Sequence, residues 1–182
     1  YIVFEKNNEV HIIDQHAADE RIHFERIQKD MSEKKMITRQ DLLLPITLEY
    51  SQDEIAIITE HIEDLLQFGL DIDIFGKKSI KINAIPHFAR EIHYKDLLNE
   101  IISTYKEREE LSIDKIQESI AASLACHGSI RAGKHLTDSE IQKLIKDLFD
   151  CDLPYSCPHG RPIIWTLQRK DFEKKFERIK PS

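Results

Sequence analysis

Asp14, His16 and Glu20 open the segment DQHAADERIHFE at residues 14–25, directly behind the alternating run YIVFEKNNEVHII. His16 and Glu20 are four residues apart, about one helical turn, so on a helix both project from one face. That arrangement offers an imidazole nitrogen and a carboxylate to a single divalent ion. Asp14 stands at the helix mouth, either as an N-cap or beside the same ion. Glu25 falls on the opposite side of the helix from His16 and reads as an ion-pair partner, with Arg21 as a candidate.

Cys157 and His159 form the second group. Residues two apart in an extended segment point the same way, and Pro158 favours extension at Cys157, so a thiolate and an imidazole can converge at zinc-like distances. The alternative is a turn with a buried Cys and an exposed His. Gly160 permits a sharp turn after them, and Arg161 adds a cation that either steadies a phosphate or pairs with an acid. Cys126, on a helix of small residues, reads first as a small hydrophobe and second as a ligand. Cys151 has no ligand-type neighbour, and the remaining histidines show no partner spacing. Two imidazoles, a carboxylate and two thiols favour Zn²⁺, while the carboxylate can bridge to Mn²⁺ or Mg²⁺.

Elements must exist to position these groups. Residues 1–13 alternate around Lys6-Asn7-Asn8 as a β-hairpin, and a helix is predicted from about Gln15 to Lys35. Ser51-Gln-Asp-Glu54 is a capping box that opens one helix with Ile55, Ile58, Ile62, Leu65 and Leu66 on a stripe, stopped by Gly69. A second hairpin turns at Gly76-Lys77-Lys78, and a helix follows over Tyr94–Tyr105. Ile113, Ile116, Ile120 and Leu124 mark a helix whose other side is small (Ser119, Ala122, Ala125, Cys126). Thr137-Asp-Ser-Glu140 caps another helix. The strand IIWTL and a charged helix end the chain. The class is α/β, with strands and helices interleaved. The β-α-β-β-α order of the middle portion fits either an inserted lobe or one continuous sheet.

The bulk properties bound the function. Over 182 residues, 41% are hydrophobic and 32% charged, as in an ordinary globular protein. No apolar run approaches the ~20 residues of a membrane span. Three cysteines without a paired framework fit a reducing cytoplasm. A net charge of −7 repels phosphate backbones, so unaided tight binding of DNA is not expected. Tyr1 already reads as strand, and an upstream domain is expected.

The motifs carry a resemblance. Asp14-Gln15-His16-Ala17-x-x-Glu20-x-x-x-x-Glu25 resembles the first motif of MutL-type mismatch-repair endonucleases. Ala125-Cys126-His127-Gly128-Ser129-Ile130-Arg131-Ala132 resembles the second, and Cys157-Pro158-His159-Gly160-Arg161-Pro162 the third. Their order and spread over nearly the whole chain make the match specific.

The resemblance implies the C-terminal domain of a bacterial family member: a latent, metal-dependent nicking endonuclease acting on the strand to be corrected. It implies His16, Glu20, Cys126, Cys157 and His159 as metal ligands, Asp14 and Glu20 as catalytic groups, and Glu25 and Arg161 in support. A tight Zn²⁺ and a catalytic Mn²⁺ or Mg²⁺ follow, with ATP acting only through an N-terminal domain. It also implies a homodimerisation subdomain at 1–42 and 111–182, with a regulatory lobe inserted at 43–110. Gln40-Asp-Leu-Leu43-Leu-Pro45 fits a sliding-clamp-binding motif, against the simpler reading of a loop leading into a strand. The expected partners are a second copy, duplex DNA (weakly), the β sliding clamp and a MutS-type recognition protein, in the bacterial cytoplasm at the nucleoid. The rival reading is a non-catalytic, zinc-stabilised homodimerisation module. A thiol redox or acyl-transfer enzyme lacks a CxxC or a triad partner.

Overall fold

Period-two alternation at the start of the chain folds as expected. β1 (Ile2–Lys6) and β2 (Glu9–Ile13) form an antiparallel hairpin, with Asn7 and Asn8 both at positive φ, as a tight two-residue turn requires. The computed structural model describes residues 1–89, 93–107, 112–131 and 133–178. Ala132 of the second motif and the 110/111 domain boundary expected from the sequence fall outside the described residues. The chain forms two compact units: unit 1 is Tyr1–Ile22 with Ile130–Ser182, and unit 2 is His23–Ser129.

In unit 1, β6 (Ile164–Gln168) joins the hairpin to give a three-stranded antiparallel sheet in the order β1-β2-β6. Register assigns its faces. Ile2, Ile13 and Ile164 lie in one cross-strand row, and Ile2 and Ile13 are buried with Ala17, Ala18 and Ile22 of α1 (Gln15–Ser32), Cys157 and Ile163. Leu144 and Leu148 of α6 (Asp138–Phe149) complete this core. The capping box of α6 forms as read: Glu140 accepts from Thr137 N at 2.7 Å, and that bond holds the Glu140 carboxyl below its ordinary range. The opposite face of the sheet carries Val3, Ile12 and Trp165 in one row, with Val3 63% and Trp165 61% exposed. After β6 comes α7 (Arg169–Lys175), every residue of which is at least partly exposed.

Unit 2 takes over α1 from His23 onward and holds a second core around Ile27, Leu65, Ile80, Ile82, Leu98, Ile101, Ile120 and Leu124. Its sheet has the order β3-β5-β4, from β3 (Arg39–Glu49), β5 (Ser79–Pro86) and β4 (Asp71–Ile74). Its helices are α2 (Gln52–Glu60), α3 (Ile62–Gln67), α4 (Tyr94–Lys106) and α5 (Ile113–Gly128). Tyr50, between β3 and α2, is buried, and its hydroxyl meets no hydrogen-bond partner among the described residues. Burial first, and then the charges of Glu54 and Asp96, push its phenol up to about 12.

Three local differences from the sequence-based expectations have physical causes. Helix α1 ends at Ser32, because Lys34 adopts a left-handed φ of 54° while Lys35 N donates to Asp30 O and Lys34 N to Met31 O. That is the Schellman stop normally built on glycine, so the sequence holds no glycine to mark it. The expected single helix over residues 52–68 is two helices broken at His61, whose ring stacks on Tyr105 at 3.8 Å and whose φ of −109° leaves the helical range. Finally, β3 begins at Arg39, so the QDLLLP segment lies within strand rather than before it.

Small residues on α5 also find their reason. A Cβ at Gly128 would lie 2.7 Å and 2.9 Å from carbons of the Phe88 ring, which is itself stacked on His23 at 4.6 Å. The glycine lets that ring lie against the end of the helix. His127 beside it bonds Glu100 at 2.9 Å, which ties α5 to α4.

Candidate metal centre

The first turn of α1 is built by Asp14. Its Oδ1 accepts from His16 N at 3.0 Å and Ala17 N at 3.2 Å, the N-cap pattern that satisfies two otherwise unpaired helix donors. Its own N–H donates to Ile163 O, which anchors the helix start to the residue before β6. Asp14 is therefore a cap, with Oδ1 committed to that role.

The α1 side chains then strap down the segment after α5. Gln15 Nε2 donates to Lys134 O at 2.7 Å, His16 Nδ1 to Ile130 O at 2.9 Å, and Asp19 Oδ2 accepts from Ile130 N at 2.9 Å. A carbonyl can only accept, so His16 carries a proton on Nδ1, which leaves Nε2 as its other nitrogen. That is the tautomer of a metal-ligating histidine oriented through its other nitrogen. Sequence motifs alone do not single out Gln15 and Asp19 for this role. Their i, i+4 spacing is the one available signal, and nothing in the sequence names the backbone they hold.

The third motif folds as a tight turn rather than as the extended segment expected from alternation. Gly160 N donates to Cys157 O and Cys157 N to Arg161 O, both at 2.9 Å, with Ser156 bridged to Pro162. Pro158 occupies the second position of this turn, where its fixed φ is favoured, and Gly160 takes φ 78° to close the bulge. Cys157 and His159 converge because the chain reverses between them. Arg21 Nε donates to Ser156 O at 2.6 Å and fixes this loop to α1. Arg161 is exposed.

Those two pieces place three donors together. A Glu20 oxygen, the Cys157 sulfur and a His159 nitrogen all lie within 4.8 Å of one another. Cys157 is 1% exposed and the Glu20 side chain 5%, while the His159 side chain is 45% exposed, so the group is buried on one side and open on the other. Glu20 Oε1 is buried and accepts no hydrogen bond among the described residues, although His159 Nδ1 is only 2.8 Å away, off the line such a bond needs. A buried carboxylate oxygen left unsatisfied is costly unless a cation completes it. Sulfur, nitrogen and oxygen within one ion's reach fit a divalent zinc-like ion. Cys126 is half-buried in the last turn of α5, in unit 2, and Glu25 is half-buried in the unit 2 portion of α1.

The segment Gln40–Pro45 has its own geometry. Pairing of β3 with β5 is interrupted between Asp41 and Ile46, and Gln40, Leu43, Leu44 and Pro45 are exposed. Leu43 and Leu44 thus present two exposed apolar side chains where the register of the strand is irregular.

Residues 1–136 match the family model described as the MutL C terminal dimerisation domain. The chain belongs to that family. It is 36% identical over 179 residues to the DNA mismatch repair protein MutL of Clostridium botulinum (strain Kyoto / Type A2), covering 98% of this chain and 27% of that protein. The proteins of the same name from Ligilactobacillus salivarius and Dictyoglomus thermophilum are 34% and 35% identical, each over 98% of this chain. The chain thus spans between a quarter and a third of the length of these MutL relatives. No described helix is long and apolar enough to cross a membrane.

Proposed function

We propose that this chain is the metal-dependent DNA-nicking domain of a bacterial mismatch repair protein, which incises the strand to be corrected. The observation that carries the reading is the buried Glu20–Cys157–His159 trio with its unsatisfied carboxylate oxygen. Glu20, Cys157 and His159 would hold a tight Zn²⁺, and the free Nε2 of His16, one turn before Glu20, is available on the same helix face. A catalytic Mn²⁺ or Mg²⁺, when bound, would supply an activated water and charge relief at the scissile phosphate. Asp14 keeps one oxygen in the cap and turns the other to orientation at the helix mouth. Arg161, exposed in the third motif, steadies a phosphoryl oxygen.

In this reading the chain acts as a homodimer in the cytoplasm, recruited by the sliding clamp and by a mismatch-recognition protein, with ATP acting through other parts of the full-length protein. The exposed Leu43, Leu44 and Pro45 support clamp docking through strand addition and leucine pockets. The row Val3–Ile12–Trp165 supports pairing with a second copy, since Val3 and Trp165 are largely exposed and a large exposed aromatic in an apolar row is a typical anchor of an interface. Trp165→Glu is expected to shift the protein from dimer to monomer, read by light scattering across a dilution series. An unchanged dimer mass would remove this face from the interface.

The reading as a whole is tested by nicking of supercoiled plasmid. The isolated domain is expected to nick feebly in Mn²⁺ and to be stimulated by the clamp. Cutting that is equally strong without clamp or Mn²⁺ would refute it.

A further inference from the structure

Charge divides unevenly between the two units. Residues 23–129 hold 13 Lys/Arg against 20 Asp/Glu, while residues 1–22 and 130–182 together hold 13 of each. The entire net charge of −7 thus resides in unit 2, and the unit with the donor trio is neutral. The three acids at the start of α1 are already engaged: Asp14 caps the helix, Asp19 holds Ile130, and Glu20 belongs to the trio.

Five of the 13 Lys/Arg of unit 1 lie on α7 or just after it, beside three acids, Asp171, Glu173 and Glu177. Arg169, Lys170, Lys174, Lys175 and Arg178 are all exposed. Arg169 is paired with Glu173 at 2.9 Å, and Asp171 is occupied by Gln168 N at 2.8 Å. Lys170, Lys174 and Lys175 have no salt-bridge partner among the described residues. Lys170 stands in the first turn of α7, where the helix dipole disfavours a cation, so its charge does not serve the helix. Lys170 and Lys174, four apart, share the face turned away from Phe172.

We infer that Lys170, Lys174 and Lys175 on α7 form the track that receives the phosphate backbone of duplex DNA on its way to the Glu20–Cys157–His159 trio. The inference rests on the nicking function proposed above. Only the five-residue strand β6 and Ile163 separate the third motif from α7. At ~3.3 Å per residue this strand spans roughly 17 Å, or about five phosphates along one DNA strand at 3.4 Å each. Sparse cations at that distance steer and hold a duplex against the repulsion of unit 2 without gripping it tightly.

The test measures duplex binding by full-length protein in the Asp14→Asn background, so that the DNA stays intact, across a series of salt concentrations. The combined variant Lys170→Glu, Lys174→Glu, Lys175→Glu is expected to flatten the plot of log affinity against log salt by up to about 2.7, at about 0.9 for each phosphate no longer neutralised. The same three positions changed to Gln avoid placing anions at the helix C-terminus and are expected to flatten it to the same extent. Lys77→Gln with Lys78→Gln, at the exposed turn of unit 2, is expected to leave the slope unchanged. An unchanged slope in both α7 variants, or an equal fall in the unit 2 variant, overturns the inference. Nicking by wild-type protein with unaltered α7 slopes strikes the track alone. An α7-dependent slope with no nicking strikes the nuclease reading alone.

Discussion

Full-length protein carrying Asp14→Asn is expected to lose nicking by roughly 10²–10⁴-fold while its melting temperature stays near that of the wild type. Asn caps helices as well as Asp does, so the bonds from His16 N and Ala17 N survive and only the negative charge is removed. Asp14→Ala would confound the two roles, because it deletes the cap at a cost of about 1 kcal/mol as well as the charge. The comparison therefore separates helix capping from chemistry at a single position. Plasmid nicking in Mn²⁺ and a thermal melt are the two readouts. Undiminished nicking by the Asn variant would leave Asp14 as a cap and nothing more.

Removal of the metal proposed for the Glu20–Cys157–His159 trio should have the second-largest effect. An ion present at about a thousand times its dissociation constant stabilises the folded state by roughly 4 kcal/mol, and a strong chelator withdraws that contribution. Unit 1 is the part expected to loosen, because the trio joins the second turn of α1 to the turn at Pro158. Without the ion, the buried Glu20 Oε1 keeps its desolvation penalty. Cys157→Ser keeps the volume of a side chain that is 1% exposed but replaces thiolate by a far poorer zinc ligand. It should reduce bound zinc well below one ion per chain and melt like the chelated wild type. Full zinc content in that variant, or a melting temperature indifferent to chelation, would argue that the trio is a hydrogen-bonded cluster and not a metal centre.

The acidic balance acquires a location. Taken over the whole chain, −7 speaks only against unaided DNA binding. Resolved by unit, it leaves the trio on a neutral body with exposed lysines and concentrates repulsion in the body that carries the exposed Leu43 and Leu44. On the function proposed above, a domain so divided would suit delivery by a partner over free search along DNA.

Local signals are legible in the sequence wherever a single side chain dictates backbone geometry. Capping at Ser51, Thr137 and Asp14, the hairpin at Asn7-Asn8 and the glycine stop at Gly69 all depend on neighbours within a few residues, and all stand in the fold. His16 and Glu20 share a helix face because 3.6 residues per turn leaves no other choice. The stop at Lys34 is silent in the sequence because a lysine takes the left-handed position that usually needs glycine, and the break at His61 because its cause is a ring on α4.

The class of elements, their order and the donor types on offer are therefore all readable along the chain. Which donors meet is settled only by long-range packing. Cys157 and His159 converge through a Pro158 turn and not through strand alternation, and Glu20 reaches them across more than 130 residues because Arg21 and Asp14 tie α1 to the segment that carries them. It also decided that α1 serves two cores, with Ala18 and Ile22 in one and Phe24 and Ile27 in the other. The physical reason is common to both: helix and strand periods are set locally by backbone geometry, whereas long-range pairing is set by which buried surfaces and polar atoms satisfy one another, and no spacing along the chain encodes that.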